Sequence, residues 1–210
     1  GGPTGAGAAD GYPGSLFVTN LNQPENGLVG EVSIPAPIAS AASLEELPVA
    51  SVLQQPVNIR PSDVNGWDYV DIWRTGLEYL PDEQRLYSSW SIHYTVSGEK
   101  HASISRCLAS DISAGPFEGA WYVGEAGPAP IDAQMNDWLF ALPAGWAATH
   151  CEGRQLVVGR CRDGGLSGLG PTLYAFAPAG STPAAQGAEL SYTTLLEYGP
   201  VENRAGYHIP

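Results

Sequence analysis

Three leucines spaced seventy residues apart each open the same short pattern in this chain: Leu16, Leu86 and Leu156. A polar or Gly-rich loop and two further strand-like runs follow each leucine. The second runs cover 28–35, 101–108 and 171–178, and the third runs cover 47–53, 119–124 and 190–198. A fixed period marks a repeated supersecondary unit. The sequence therefore predicts three copies of one unit, with the three leucines at equivalent buried positions.

Alternating side chains and turn residues indicate that the unit is built from β-strands. Residues 28–34 alternate between polar and apolar with one apolar face, and the Asn26-Gly27 pair before them is a hairpin signal. We predict three four-stranded antiparallel units at about 1–56, 66–126 and 136–199, with a loop or a weak first strand in 1–13. The segment 146–150 is predicted as a strand, and 39–47 is the best helical candidate.

The chain resembles the secreted bacterial β-propellers along its whole length. The resemblance rests on Gly76-Leu77-Glu78-Tyr79 before a turn and on the third-strand run Gly170-Pro171-Thr172-Leu173-Tyr174. It implies an all-β fold of radially stacked four-stranded blades, and a flat β-sandwich is the alternative fold. Some such propellers bind or cleave polysaccharides.

The predicted number of blades bears on the partners of the chain. Closed propellers have about four to eight blades, whereas this chain supplies three. The chain is then part of a larger propeller, or a second chain supplies blades, or two copies close a six-bladed ring. We expect the end sheets to pack against another polypeptide or further blades of the same precursor. The two-copy ring is less favoured, because the first and last blades would have to match.

Composition limits the classes of partner. Hydrophobic residues make up 43% of the chain, which is enough for a core, and the formal net charge is -13. Nine Lys and Arg residues cannot neutralise many phosphates, so neither nucleic acid nor an anionic membrane surface is an expected partner. No apolar run approaches the roughly 18 residues that span a bilayer, so no membrane insertion is expected. Many Trp and Tyr residues and one Lys are typical of a secreted or periplasmic protein.

Strand parity places several polar side chains at one end of the predicted blades. His93, His101, Arg162 and His208 are expected at this end, and His150 at the other. The resemblance to propeller lyases implies that His93 or His101, with Tyr94, abstracts a proton beside a uronate carboxylate. Arg160 or Arg162 would neutralise that carboxylate. The alternative is that these residues only form hydrogen bonds at hairpin ends.

Aromatic and polar residues at the same end are candidates for binding a glycan. They are Trp67, Asp68, Asn136, Trp138, Arg160, Tyr207 and His208. Aromatic rings can stack on sugar rings, but at blade boundaries they also serve as packing wedges.

No metal or cofactor is predicted. Calcium is the one ion considered, through the carboxylates of Asp68, Asp71, Asp132 and Asp137. Their spacing is not that of a calcium loop, which favours a solvated or capping role. Cys107, Cys151 and Cys161 have no CxxC spacing. Two of them could pair in an oxidising compartment, or all could be buried thiols.

Three functions follow from these features. The leading hypothesis is a secreted β-propeller module that binds a glycan or an extracellular protein. The first alternative is a polysaccharide lyase or glycoside hydrolase acting at the His93/Arg162 end. The second alternative is a structural subunit of a multichain extracellular assembly.

Overall fold

The computed structural model describes residues 14–19, 28–61, 75–90, 103–123, 138–160 and 172–197. Their strands form three antiparallel sheets that follow each other along the chain. Sheet 1 contains β1 (Ser15–Thr19), β2 (Val29–Ser33) and β3 (Val52–Val57). Sheet 2 contains β4 (Thr75–Leu80), β5 (Arg85–Trp90), β6 (Ile104–Leu108) and β7 (Glu118–Trp121). Sheet 3 contains β8 (Trp138–Ala141), β9 (Leu156–Arg160), β10 (Thr172–Phe176) and β11 (Tyr192–Glu197).

Every sheet is a meander in which consecutive strands pair. The all-β prediction is confirmed, and so is the four-stranded unit in sheets 2 and 3. Sheet 1 has three strands within the described residues. The weak first strand predicted in 1–13 lies outside them.

The register of the strands shows that the three sheets repeat one another. Leu16 pairs with Val32 on the following strand, Leu86 with Cys107, and Leu156 with Phe176. The three leucines therefore hold corresponding places on β1, β5 and β9. Because sheets 2 and 3 each have a strand before β5 and β9, sheet 1 corresponds to the last three strands of its neighbours.

The sheets stack in chain order through two apolar interfaces. Between sheets 1 and 2, Phe17 and Val29 pack with Leu86 and Cys107. Between sheets 2 and 3, a larger cluster contains Tyr87, Ile104, Trp121, Leu139, Leu156, Val158, Tyr174 and Phe176. Since neighbouring residues on a strand point to opposite faces, sheet 2 uses Leu86 toward sheet 1 and Tyr87 toward sheet 3.

The prediction that all three leucines are buried is wrong for Leu16. Leu86 and Leu156 are almost fully enclosed, whereas Leu16 is 50% exposed. The difference arises from position in the stack. Leu86 and Leu156 each point at the preceding sheet, but Leu16 points away from sheet 2, where no other described sheet covers it.

Three local assignments also differ from the prediction. Residues 146–150 belong to a helix, α1 (Ala144–His150), and not to a strand. Alanine favours helix, and Pro143 is tolerated just before the first turn, where its missing N–H costs no helical bond. The third strand of sheet 1 begins at Val52 and not at residue 47. Within 39–47 only the single 3-10 turn Leu44–Glu46 is helical.

Candidate functional site

Most of the residues predicted to carry chemistry lie outside the described part of the chain. These are His93, Tyr94, His101, Arg162, Trp67, Asp68, Asn136, Tyr207 and His208, and the carboxylates Asp71, Asp132 and Asp137. Arg160 ends β9, and only its backbone is described. His150 ends α1. The other histidines lie outside the described residues, so the predicted separation between them and His150 stays a prediction. Trp138 is the one predicted site residue whose side chain can be placed.

Trp138 lies on the face of sheet 3 that points away from sheet 2. Its neighbour Leu139 belongs to the core between the two sheets, so the alternation of β8 turns Trp138 and Phe140 outward. Trp138 is 37% exposed and Phe140 is 39% exposed. Residues Trp138, Phe140, Leu173 and Leu196 are named here the Trp138 face. It is an open apolar surface on a terminal sheet.

Gly159 allows the side chains of Trp138 and Leu173 to pack closely over the backbone of β9. Gly159 pairs with Trp138 on one side and with Leu173 on the other. A Cβ atom on Gly159 would approach Leu173 Cδ2 to 2.4 Å, the Thr172 carbonyl oxygen to 2.7 Å and Trp138 Cε3 to 3.0 Å. The tryptophan ring and the leucine therefore lie over the bare backbone. This fixes the ring against the sheet and leaves part of it accessible.

The next row of the same outer face is covered by the chain itself. Val157 and Ala175 are fully buried under Cys151, which follows α1. Arg154 Nη1 donates a hydrogen bond of 3.0 Å to Thr193 Oγ1 at the end of this row. On the helix, the Trp146 and His150 rings are in contact, with centroids 4.7 Å apart and planes tilted by 35°. The row of Phe140, Val157 and Ala175 is thus covered at Val157 and Ala175, while Phe140 at its edge and the row of Trp138 stay exposed.

The other end of the stack has a second open apolar surface. Residues Leu16, Val18, Val32 and Val52 of sheet 1 lie opposite the face that packs on sheet 2, and they are named here the Leu16 face. Val18 is 39% exposed and Val52 is 53% exposed. None of these four side chains carries a charge, so a partner could cover them without burying an ion.

A charged network between sheets 2 and 3 is the most elaborate polar cluster in the described residues. Arg106 donates to Glu118 at 2.7 Å and to Glu83 at 2.8 Å, while Tyr87 Oη donates to Glu83 at 2.7 Å. The Ala179 N–H donates to Tyr87 Oη at 2.7 Å. Burial raises the pKa of Tyr87. Arg106 is only 2% exposed and Tyr87 fully buried, so the network joins the two sheets and has no access for a substrate.

A second polar cluster joins sheet 1 to sheet 2. Glu31 is buried and accepts hydrogen bonds from Ser15 Oγ and from Gln54 Nε2, the latter at 2.6 Å. Gln54 also donates to the Ala109 carbonyl at 2.9 Å and accepts from the Ile112 N–H at 2.8 Å. Its amide therefore bonds once within sheet 1 and twice to the backbone that follows β6.

A small cleft lies beside this second cluster. It has a volume of about 180 Å³ and lies between β1 and β4, lined by Ser15, Leu16, Phe17, Leu77, Glu78, Tyr79 and Leu86. Ser15 and Glu78 contribute polar groups to its walls, and no catalytic pair of side chains converges on it within the described residues.

Neither a metal site nor a reactive thiol is found where the chain is described. No group of three or more His, Cys, Asp or Glu side chains is arranged to hold a metal ion there. Cys107 and Cys151 are buried free thiols, and Cys161 lies outside the described residues. Burial raises the pKa of Cys107 to about 12, so this thiol stays protonated at neutral pH and is a poor nucleophile.

Sequence reasoning named Trp138 as a candidate, but it did not name the residues that share its surface. Phe140 follows Trp138 by two positions, and this strand alternation was the available signal. Leu173 and Leu196 belong to β10 and β11 and join the surface only through strand pairing. No sequence pattern within a single strand could have brought them together.

No protein-family model, curated protein or solved structure matches the chain. Among the helices that the structure describes, none is both long and apolar enough to cross a bilayer. Function is therefore inferred from the residues and their arrangement.

Proposed function

We propose that the chain is a segment of a β-propeller that acts as a binding module outside the cell. The propeller is supported by three antiparallel meanders that stack in chain order with the same face forward each time. The secreted or periplasmic location is supported by the composition, which is acidic and rich in aromatic residues. The ligand is a glycan or an extracellular protein.

One observation carries the binding role: both ends of the stack present uncharged apolar faces. Large exposed apolar patches are uncommon on soluble monomers and mark interaction surfaces. The Trp138 face and the Leu16 face each combine large side chains that are between 37% and 53% exposed with partly buried ones. Burying such surface stabilises a complex by about 25 cal/mol per Å² of apolar area.

The chemistry of the two faces favours a protein as the ligand. A sugar-binding surface needs a few polar groups beside its aromatic ring to fix the hydroxyls. The side chains of the Trp138 face are all apolar. A glycan remains the second candidate, because the Trp138 ring packs beside Gly159 and is 37% exposed, so part of it is accessible for stacking on a sugar.

Two measurements on the purified chain test the binding role. In affinity electrophoresis through gels that contain single polysaccharides, retardation that Trp138→Ala abolishes and Trp146→Ala retains supports glycan binding at the Trp138 face. Sedimentation velocity supports protein binding if the chain forms a defined complex with itself or with an added protein. A chain that shows neither retardation nor association would refute the proposed function.

The enzyme alternative stays a prediction, since His93, Tyr94, His101 and Arg162 lie outside the described residues. Incubation with a uronate-rich polymer tests it directly. New ultraviolet absorbance from an unsaturated product, lost in His93→Ala, would establish lyase activity.

A further inference from the structure

Sheet 1 lacks, among the described residues, the first strand that sheets 2 and 3 possess. β4 precedes β5 in sheet 2 and β8 precedes β9 in sheet 3, whereas β1 is an edge strand of sheet 1. The first strands of sheets 2 and 3 are in contact with each other. The corresponding place in sheet 1 therefore lies beside β1 and next to β4.

The open edge of β1 carries backbone groups that can hold a further strand. The Ser33 N–H donates to the Ser51 carbonyl at 2.9 Å, on the side of β2 that faces away from β1. Opposed residues of an antiparallel pair either bond to each other or both face away. Ser15 is the partner of Ser33, so its N–H and C=O are directed to the open edge. By the same alternation, the N–H and C=O groups of Phe17 and Thr19 point to this edge too.

The cleft between β1 and β4 lies at this open edge. Its lining includes Ser15 and Phe17 from one face of β1 and Leu16 from the other, so it opens along the edge of the strand. Leu77 and Tyr79 of β4 belong to the opposite wall. The cleft is small, about 180 Å³, and therefore suits a strand with small side chains.

The contact between β4 and β8 also indicates a small side chain at one position. A Cβ atom on Gly76 would come within 2.7 Å of the Leu139 Cβ, so Leu139 packs on bare backbone. Leu77 holds in sheet 2 the place of Leu139 in sheet 3. Their partners, Ser88 and Val158, each lie two residues after the repeated leucine. A strand beside β1 is therefore expected to present a small residue to Leu77.

Residues 5–10 are a segment of this kind. They read Gly-Ala-Gly-Ala-Ala-Asp and stand seventy positions before β4, as Leu16 stands seventy positions before Leu86. Ala6 is the counterpart of Gly76, and its methyl group is the smallest side chain after that of glycine. The segment lies outside the described residues. Four residues separate it from β1, as four separate β4 from β5.

Gly14 enters β1 in the conformation that follows a hairpin turn. Its φ is 84°, and Gln84, its counterpart seventy residues later, has a φ of 53°. Gln84 ends the turn between β4 and β5, where its N–H donates to the Pro81 carbonyl at 3.2 Å. The start of sheet 1 therefore repeats the end of that turn, which leads the preceding segment back along β1.

We propose that residues 5–10 fill the cleft as the fourth strand of sheet 1, antiparallel to β1. In the register of β4 and β5, Ala8 is opposite Phe17. Because the backbone groups of Phe17 face the open edge, the Ala8 N–H donates to the Phe17 carbonyl. The N–H of the next residue, Ala9, points away from β1.

The added strand extends the Leu16 face without covering it. In the same register Gly7 lies beside Val18, and Ala9 lies beside Leu16. Both added residues are small, so the large side chains of the face stay accessible to a partner. The strand does not depend on the proposed function, because it uses the edge of sheet 1 and not its face.

Two proline variants of the full chain test the strand. Ala8→Pro removes the N–H that bonds to β1 and should release the segment. Ala9→Pro is the matched control, because it removes an N–H that faces away from β1. Proline is tolerated at such positions of edge strands. Far-UV circular dichroism checks that both variants are folded.

Hydrogen exchange of single amides, followed by NMR, is the measurement. The Phe17 and Thr19 amides should exchange at least about tenfold faster in Ala8→Pro than in the wild type or in Ala9→Pro. The Leu16 and Val18 amides point to β2 and provide the internal reference, since their exchange should be the same in all three proteins.

Three results would overturn the proposed strand. Wild-type Phe17 and Thr19 amides that exchange as fast as in an unfolded chain mean that the edge is open. Equal exchange in the two proline variants means that residues 5–10 do not pair in this register. Protection that appears only as the protein concentration rises means that the strand comes from a second copy. Retardation by a polysaccharide through Trp138 concerns sheet 3, so the proposed function can stand while this strand fails.

Discussion

Replacing Arg106 by Met tests how much the buried ion pairs of sheet 2 contribute to stability, and whether they hold the two side chains that accept hydrogen bonds from the segment after β10. Arg106 is 2% exposed and makes ion pairs of 2.7 Å with Glu118 and 2.8 Å with Glu83. Methionine keeps most of the side-chain volume and removes the charge. Two carboxylates that are 16% and 23% exposed would then remain without their cation.

The expected cost follows from the burial of the pairs. Breaking a buried ion pair by removing one partner costs about 3–5 kcal/mol, and we take the lower end because both carboxylates keep some contact with water. A loss of about 3 kcal/mol, with an m-value of about 2 kcal/mol/M, lowers the urea midpoint by about 1.5 M. For a chain of this length the same loss lowers Tm by about 6–12 °C.

Urea unfolding followed by tryptophan fluorescence measures the change. Arg154→Met is the comparison variant, because Arg154 pairs with only one carboxylate, that of Glu152, whose side chain is 79% exposed. This pair contributes about 0–1 kcal/mol and the hydrogen bond of Arg154 to Thr193 about 1 kcal/mol, so the midpoint should move less than in Arg106→Met. Hydrogen exchange adds a local readout, since the Ala179 and Gly180 amides bond to Tyr87 and Glu83 and should exchange faster in Arg106→Met. An Arg106→Met midpoint equal to that of Arg154→Met would refute the reasoning.

Three further predictions concern packing and charge. Leu86→Ala should cost about 2–5 kcal/mol in urea unfolding, whereas Leu16→Ala at the corresponding open position should cost under about 1 kcal/mol in the monomer; equal losses would contradict the stacking order. Gly159→Ala should destabilise the fold by about 1–3 kcal/mol and lower Tm, because the added Cβ meets backbone and side-chain atoms. In the control Gly145→Ala, the added Cβ in α1 meets no atom within 4 Å, and Tm should rise because alanine favours helix over glycine. Burial raises the pKa of Glu78, so the folded state binds the carboxyl proton more tightly than the unfolded state, and the stability of the wild type falls as pH rises through the folded pKa. Glu78→Gln cannot ionise and should not show this fall. A stability difference between variant and wild type that does not grow from pH about 4 to 7 would disprove the prediction.

The sequence determined the repeat and the strands that share it. Period-two alternation and turn residues are local properties, so β2, β5 and β9 could be placed to within a few residues. The seventy-residue spacing also placed the three leucines at equivalent positions in their sheets, because the pairing register of each sheet is set by the alternation of apolar and polar residues along its strands. Helix α1 was missed, because its seven residues are too few to show a helical period.

The candidate surface was only partly predictable. Trp138 stood out as an aromatic residue at the start of a strand, but its partners Leu173 and Leu196 join it through pairing across sheet 3. The proposed catalytic residues His93 and Arg162 stay predictions from the sequence.

Tertiary structure alone decided which two of the three equivalent leucines are buried. Leu16, Leu86 and Leu156 stand in the same local pattern and the same register, yet only Leu16 is half exposed. Burial depends on whether another sheet lies against a face, and this is a property of the stack that no residue encodes by itself. The sequence by itself determined the alternation of side chains along the strands. Stacking determined that, among the described residues, the outer side of sheet 1 and part of the outer side of sheet 3 remain exposed.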